Sequence, residues 1–167
     1  MTKRRLLTAA VFLLALAVAG VLWAPLAVAE WVVARRFADV PRTTTAALAA
    51  RRAAGEPVLL LDARERAEFE VSHLPGAIWI GSAGAELGAL GPLPLEQPMV
   101  VYCSVGWRSA AATRRLRQAG AGRVENLSGS IFRWANEGRP LVDGAEQPTT
   151  AVHPFGPAWR FLLRSPR

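Results

Sequence analysis

Cysteine is almost absent from this chain of 167 residues: Cys103 is the only one, so no disulfide can form within the chain. The only histidines are His73 and His153, and with Cys103 they do not make a recognisable set of zinc ligands. Lysine is scarce too, because arginine accounts for all but one of the 20 basic residues behind the net charge of +7. These arginines are scattered, which indicates a solvated basic surface rather than a nucleic-acid site.

The longest apolar run of the sequence lies at its N-terminus. Lys3, Arg4 and Arg5 precede an uncharged stretch over residues 6–29, and this order is typical of secretory signals and membrane anchors. The stretch exceeds the roughly 7–15 residues of a signal-peptide core and approaches the ~20 residues of a membrane-spanning helix. We therefore expect residues 1–30 to form an uncleaved transmembrane anchor, with cleavage near Ala29 and export of the domain as the alternative.

The charges that flank this stretch predict its orientation. Lys and Arg are enriched on the cytoplasmic side of membrane spans, so the N-terminal basic cluster places the domain on the extracytoplasmic, periplasmic side. On the other side of the stretch, Arg35, Arg36 and Arg42 supply a similar number of positive charges, but they are less closely spaced than the N-terminal cluster. The rest of the chain then has three parts. Residues 31–36 form a juxtamembrane connector, and residues 37–143 form a folded domain. Residues 144–167 form a tail that packs on the domain or lies near the membrane.

Short apolar runs alternate with helical patterns beyond this point. Continuous apolar runs are typical of strands buried on both faces, and their alternation with helices predicts an α/β fold with a central parallel sheet. The predicted strands lie at residues 58–61, 77–80, 100–102 and 124–127, with a further short strand around residues 37–40. The predicted helices lie at residues 46–54, 64–71, 83–90, 107–119 and 131–136.

The loop that follows the strand at residues 100–102 carries the candidate chemistry. Cys103 ends the strand and Trp107 opens the next helix. A strand–loop–helix turn of this kind binds anions through its loop N–H groups and the positive end of the helix dipole. Gly106 permits a tight turn, and Arg108 adds a full positive charge. Such surroundings lower the pKa of a thiol, which favours a nucleophilic role for Cys103 over that of a buried structural cysteine.

In three blocks, at residues 61–78, 103–108 and 126–134, the sequence resembles the rhodanese family of sulfurtransferases. The loop at residues 103–108 matches the family's C-x-x-G-x-R pattern. Residues 61–78 resemble its D-x-R-E…F…H-I-P-G-A block, and residues 126–134 resemble its N-L-x-G-G-I…W block. The blocks occur in the expected order, and together they cover about residues 37–141.

The resemblance implies a small doubly wound domain, flanked by helices, that transfers sulfane sulfur by a ping-pong mechanism without a cofactor. Cys103 would take the sulfur as a persulfide and pass it to a thiophilic acceptor such as cyanide or a thiol, with Arg108 assisting as a charge. The loop residues that would bind the persulfide and the donor are Ser104, Val105, Gly106 and Trp107. The implied substrate is a small sulfur-containing anion, thiol or persulfide, and a protein acceptor stays open.

The sequence departs from the family pattern at two positions. Ser104 stands where members tuned to thiosulfate often carry a basic residue, so we expect thiosulfate to be a mediocre donor. Ser130 replaces the second glycine of the downstream block, which predicts an altered turn.

Two alternative functions stay open: a non-catalytic module that binds or senses sulfur, and a phosphatase. Phosphatases of this fold have five residues between Cys and Arg, whereas the four residues here form a smaller cradle, better suited to sulfur.

Three further residues are expected to support the site. Asp62 and Arg64 follow a predicted strand, where a salt bridge or cap that fixes the turn is favoured over direct catalysis. His73 precedes a Pro-Gly turn and is expected to act as a structural hydrogen-bonding residue. For Trp107, shaping the mouth of the site and packing over the sheet edge are equally compatible with the sequence.

Overall fold

A five-stranded parallel sheet forms the centre of the computed structural model, which describes residues 5, 11–12, 24–85, 87–90, 94 and 96–164. The strands are β1 (Arg42–Thr43), β2 (Leu59–Asp62), β3 (Ala77–Trp79), β4 (Met99–Tyr102) and β5 (Val124–Leu127). Their spatial order is β1-β5-β4-β2-β3. All residues of the central strand β4 are buried, as its continuous apolar run predicts.

Five α-helices whose bounds are described, a small hairpin and a C-terminal 3₁₀ helix at Pro157–Leu162 lie around the sheet. The helices are α1 (Pro25–Arg36), α2 (Thr45–Ala53), α3 (Arg66–Val71), α4 (Trp107–Gln118) and α5 (Ser130–Asn136). The antiparallel hairpin consists of β6 (Leu141–Val142) and β7 (Pro148–Thr149). Local chemistry explains where α2 begins, because the Thr44 hydroxyl accepts a hydrogen bond from the Ala47 N–H at 3.1 Å.

Helices cover both faces of the sheet. Successive strand residues point to opposite faces, so Leu60 and Leu61 of β2 belong to different apolar clusters. Leu60 packs in the larger cluster with side chains of α2 and α5, and Leu61 packs with side chains of α4. The expected α/β domain with a central parallel sheet is therefore confirmed.

Two predicted elements are wrong. The expected strand around residues 37–40 is a turn, and its apolar residues Phe37 and Val40 instead pack in a small cluster with Val33 of α1 and Ala110 of α4. The strand at this edge of the sheet is β1, just after the turn.

The expected helix at residues 83–90 is replaced by two 3₁₀ turns, at Ser82–Gly84 and Leu87–Leu90. This stretch contains two glycines, which disfavour a helix interior.

The predicted membrane segment is described only in part. Within the apolar stretch at residues 6–29, residues 6–10 and 13–23 lie outside the described residues. Helix α1 begins at Pro25, a favourable first helical residue, and runs on through the expected connector. It packs on the domain through Leu26 and Val33. Across the described ranges, no helix is both long and apolar enough to cross a membrane.

The C-terminal tail lies on the domain. The tail begins within the β6–β7 hairpin, and just before it, in β6, the Val142 N–H donates to the His73 carbonyl at 3.0 Å and the His73 N–H donates back to the Val142 carbonyl at 2.7 Å. Further along, Leu162 is buried in the larger apolar cluster. Asn136 of α5 fixes this end, because its Nδ2 donates to the Leu162 carbonyl and its Oδ1 accepts from the Arg164 N–H, both at 2.8 Å.

Candidate active site

Cys103 is the first residue after β4, at the carboxyl edge of the sheet, where ligands bind in open α/β folds. The loop ends at Gly106, whose φ of +108° is a left-handed conformation that favours glycine. The Asn126 Nδ2 donates to the Gly106 carbonyl at 3.0 Å, and the Ser109 hydroxyl donates to the Asn126 Oδ1 at 2.7 Å. The buried amide of Asn126 therefore ties the end of the loop to the start of α4.

The N-terminus of α5 holds the start of the same loop. The first N–H groups of a helix lack partners within the helix. Here the Ile131 N–H donates to the Cys103 carbonyl and the Phe132 N–H donates to the Ser104 carbonyl, both at 3.1 Å. Two loop carbonyls are thus satisfied by a neighbouring helix.

Ser130 takes a glycine-like conformation in this turn, with φ at +51°. Its hydroxyl accepts the Cys103 N–H at 3.2 Å and donates to the Leu127 carbonyl at 3.0 Å. The serine that replaces the family's glycine therefore adds a side-chain hydrogen bond to the loop. Since the Cys103 N–H is occupied in this way, the amides that remain to bind a substrate come from later loop residues.

The Cys103 thiol lies inside the loop and is only 1% exposed. Its Sγ accepts a hydrogen bond from the Gly106 N–H at 3.2 Å. Burial raises the pKa of the Cys103 thiol, whereas the nearby charge of Arg108 lowers it. The polar groups of nearby Ser109 and the hydrogen bond from the Gly106 N–H lower this pKa further, and the net shift of the thiol pKa is downward. The loop therefore favours the thiolate.

Arg108 does not present a free charge, contrary to the simplest expectation from the sequence. Its Nη1 and Nη2 donate to the two carboxylate oxygens of Glu68 at 2.6 and 2.8 Å. The Ser104 hydroxyl donates to Glu68 at 2.9 Å and accepts from the Arg108 Nη2 at 2.9 Å. Ser104 therefore faces this ion pair. Sequence reasoning missed Glu68 as a site residue, although it lies within the upstream block that resembles the family.

The charge of Glu68 stabilises the domain at neutral pH. Burial raises the pKa of Glu68, but the pairing with Arg108 and hydrogen bonds from the Glu65 N–H and the Ser104 hydroxyl hold that pKa below its ordinary value. A carboxylate whose pKa is lowered by folding contributes stability above its unfolded pKa, and this is lost as the pH falls through the folded pKa. The ion pair is thus lost in acid.

The other predicted loop residues differ in exposure. Val105 is buried in the larger apolar cluster, which leaves its backbone rather than its side chain for substrate contacts. Trp107 packs edge-to-face on Phe37, with 5.2 Å between ring centroids, and is still 46% exposed. Its ring therefore both packs on the turn after α1 and stays open to solvent at the start of α4.

The expected salt bridge at the end of β2 is present and fully buried. The Arg64 Nη2 donates to the Asp62 Oδ2 at 2.6 Å and to the Ser72 carbonyl at 2.6 Å.

His73 has the structural role expected of it. Its Nδ1 lies 3.1 Å from the Phe69 carbonyl, and its Nε2 lies 2.9 Å from a Glu146 carboxylate oxygen.

We expect the lowered thiol pKa to be visible in the reactivity of Cys103. Only the thiolate reacts rapidly with iodoacetamide, so the rate should rise with a midpoint below the free-thiol value of about 8.5. The measurement is the rate of alkylation across a pH series, followed by mass, and the single cysteine makes the signal unambiguous. A midpoint at or above the free-thiol value would contradict this description of the loop.

Replacing Glu68 by glutamine should release the charge of Arg108 toward the thiolate. We expect the alkylation midpoint of Cys103 to move further down, and the free energy of unfolding to fall by about 1–3 kcal/mol because a buried ion pair is broken. Glu70→Gln is the matched control, since Glu70 lies on the same helix but pairs with the exposed Arg66. If both variants shift the midpoint equally, Glu68 has no specific effect on Cys103.

Comparison with known proteins places these elements in one family. The sequence profile of the rhodanese-like domain matches residues 44–137, more than half of the chain. A sulfurtransferase of Allochromatium vinosum is 38% identical over 95 residues, which are 57% of this chain and 88% of that protein. The probable adenylyltransferase/sulfurtransferase MoeZ of Mycobacterium tuberculosis is 33% identical over 87 residues, 52% of this chain but 22% of its own length. The solution structure of a rhodanese-like domain from Anabaena aligns with a TM-score of 0.58 at 27% identity, covering 68% of this chain and 86% of that one.

Proposed function

Because this chain belongs to the rhodanese-like family, we propose that it is a sulfurtransferase that carries sulfane sulfur on Cys103. The Cys103 thiolate attacks the outer sulfur of a donor such as thiosulfate, forming a new S–S bond. The donor's own S–S bond breaks, and its electron pair leaves with the remnant, which is sulfite for thiosulfate. A thiophilic acceptor, cyanide or a small or protein-borne thiol, then attacks the outer sulfur and regenerates the thiolate.

The observation that carries this proposal is the environment of the thiol. Cys103 lies at the carboxyl edge of the sheet, accepts the Gly106 N–H, and has its pKa lowered by Arg108. Loop amides that are fixed before the reaction stabilise developing negative charge without reorganisation. The four-residue gap between Cys103 and Arg108 favours a single sulfur atom over the three oxygens of a phosphoryl group.

The direct test is the mass of the intact protein. Incubation with thiosulfate and removal of excess donor, without reductant, should add about 32 Da, the mass of one sulfur atom on Cys103. Cyanide should then remove this increment and release an equal amount of thiocyanate. An unchanged mass together with no thiocyanate, both with thiosulfate and with a small persulfide as the donor, would overturn the proposal.

A second candidate is a module that binds or senses sulfur without turnover. Two observations favour it: Cys103 is 1% exposed, and Arg108 is already paired with Glu68 instead of facing a substrate anion. The mass experiment separates the two functions. A sensor retains the added sulfur in the presence of cyanide, whereas an enzyme discharges it repeatedly.

We propose further that the domain is held at the membrane, on its extracytoplasmic side. The support is in the sequence: Lys3, Arg4 and Arg5 precede the apolar stretch at residues 6–29. The protein should fractionate with membranes, and protease added to intact spheroplasts should digest the domain. Protection that is lost only on lysis would reverse the orientation, and recovery in the soluble periplasmic fraction would mean cleavage near Ala29.

A further inference from the structure

The C-terminal tail reaches the active-site loop through Phe155. Its ring centroid lies 4.8 Å from the Cζ atom of Arg108, which is the distance of a cation–π contact. Phe155 is 48% exposed, so about half of its side chain stays accessible to solvent. The tail lies beyond the residues matched by the family profile. The contact is therefore made by a residue outside the part of the chain that the profile covers.

Phe155 lies between two points at which the chain is fixed to the domain. Upstream, the β6–β7 hairpin pairs with His73, and downstream Leu162 is buried in the larger apolar cluster. Phe155 itself has a φ of +64°, a left-handed conformation that is uncommon for a residue with a bulky side chain. Its ring also packs edge-to-face on Trp159, with 5.9 Å between centroids.

Arg108 consequently has two neighbours that limit its action on a substrate. Glu68 accepts two hydrogen bonds from the guanidinium and balances its charge, while the Cζ atom of Arg108 lies over the ring of Phe155. The net charge that a dianion would meet beside Cys103 is small. Apolar surface is instead available from two half-exposed aromatic rings: Phe155, and Trp107 next to Arg108 in the chain.

We propose that Phe155 is a specificity-determining residue, and that the site takes monoanionic sulfane-sulfur donors that carry an apolar group. This inference rests on the proposed sulfur transfer and names its substrate class. An aryl thiosulfonate has both properties: a single negative charge and a flat apolar ring that can pack against the exposed part of Phe155. Thiosulfate, a small dianion, has neither.

The chemical step is the same for this class of donor. The Cys103 thiolate attacks the outer sulfur of the thiosulfonate, and a new S–S bond forms. The bond between that sulfur and the sulfonyl sulfur breaks, its electron pair leaves with the sulfinate, and Cys103 becomes a persulfide anion. One negative charge stays on the protein and one leaves with the sulfinate, so charge and atoms balance without an oxidant or a reductant.

Two donors that differ only in the apolar group provide the test. Benzenethiosulfonate and methanethiosulfonate carry the same charge, and the ratio of their kcat/KM values reports the contribution of the ring. We expect Phe155→Ala to lower this ratio about fivefold, which is the size of one aromatic contact, mainly through KM for the benzene donor. Phe161→Ala is the matched control, because Phe161 is a 67% exposed ring on the same tail. Phe155→Leu retains apolar area, so it should lose less than Phe155→Ala.

A measurement without turnover separates this inference from the proposed function. Benzenesulfinate, the product of the aryl donor, should protect Cys103 from iodoacetamide more strongly than methanesulfinate, and Phe155→Ala should remove that difference. If no donor supports sulfur transfer but this protection pattern is seen, the proposed function fails, and the role of Phe155 in binding apolar groups is retained. An unchanged ratio and unchanged protection in Phe155→Ala, or an equal loss in Phe161→Ala, would overturn the role of Phe155.

Discussion

Replacement of Cys103 by serine is expected to abolish sulfur transfer, with a loss on the order of 10³-fold or more, while the fold is retained. Serine is nearly isosteric, and its hydroxyl can still accept the Gly106 N–H that the thiol accepts at 3.2 Å. However, a hydroxyl does not ionise near neutral pH, so the nucleophile is lost. The measurement is thiocyanate formation from thiosulfate and cyanide, with urea denaturation to confirm folding.

Wild-type protein blocked with iodoacetamide is the chemical control for this variant. It should be as inactive as Cys103→Ser, because both lack a free thiolate at the same atom. No other cysteine can replace it, since the chain has one. Turnover at the wild-type rate in either form would mean that donor and acceptor react directly while both are bound, and that sulfur is never attached to the protein.

Asp62→Asn should produce the largest loss of stability of the single substitutions considered. Asp62 and Arg64 are both fully buried, and the carboxylate accepts from the Arg64 Nε as well as from its Nη2. Removal of the carboxylate charge leaves a guanidinium in the protein interior without its counterion. Breaking a buried pair in this way costs about 3–5 kcal/mol. Urea denaturation followed by circular dichroism measures the change.

Asp39→Asn provides a matched comparison for this result. Asp39 also pairs with an arginine, Arg114, but on the surface, where solvent and salt screen the interaction. We expect no measurable change in stability from this substitution. A comparable loss in both variants would show that burial does not decide the contribution of these Asp–Arg pairs, and would contradict the structural role assigned to Asp62.

The sequence predicts the central sheet and the position of Cys103 because both depend on local patterns. A continuous apolar run indicates a strand buried on both faces, and a Gly followed by a helical pattern indicates the end of the loop. The pairing of Glu68 with Arg108 depends on something else, namely the parallel register in which Asp62 lies opposite Tyr102. This register brings α3 and α4 to the same edge of the sheet, and one sequence does not reveal it.

The contribution of the tail was less predictable still. Its mixture of aromatic residues and arginines is compatible with packing on the domain or with contact to a membrane. The approach of Phe155 to Arg108 depends on the hairpin and on the burial of Leu162, which lie on either side of it. The prediction of a strand at residues 37–40 was wrong for a related reason. Phe37 and Val40 are buried by helices rather than by strand neighbours.

The support of the loop by α5 has a consequence for protein engineering. The carbonyls of Cys103 and Ser104 are held by backbone N–H groups of α5, and the carbonyl of Gly106 is held by the side chain of Asn126. The path of this loop is thus set by groups outside it. Trp107, the half-exposed first residue of α4 beside the loop, can be exchanged while the amides keep their directions. The domain is therefore a suitable scaffold for grafting new recognition residues around an unchanged reactive sulfur.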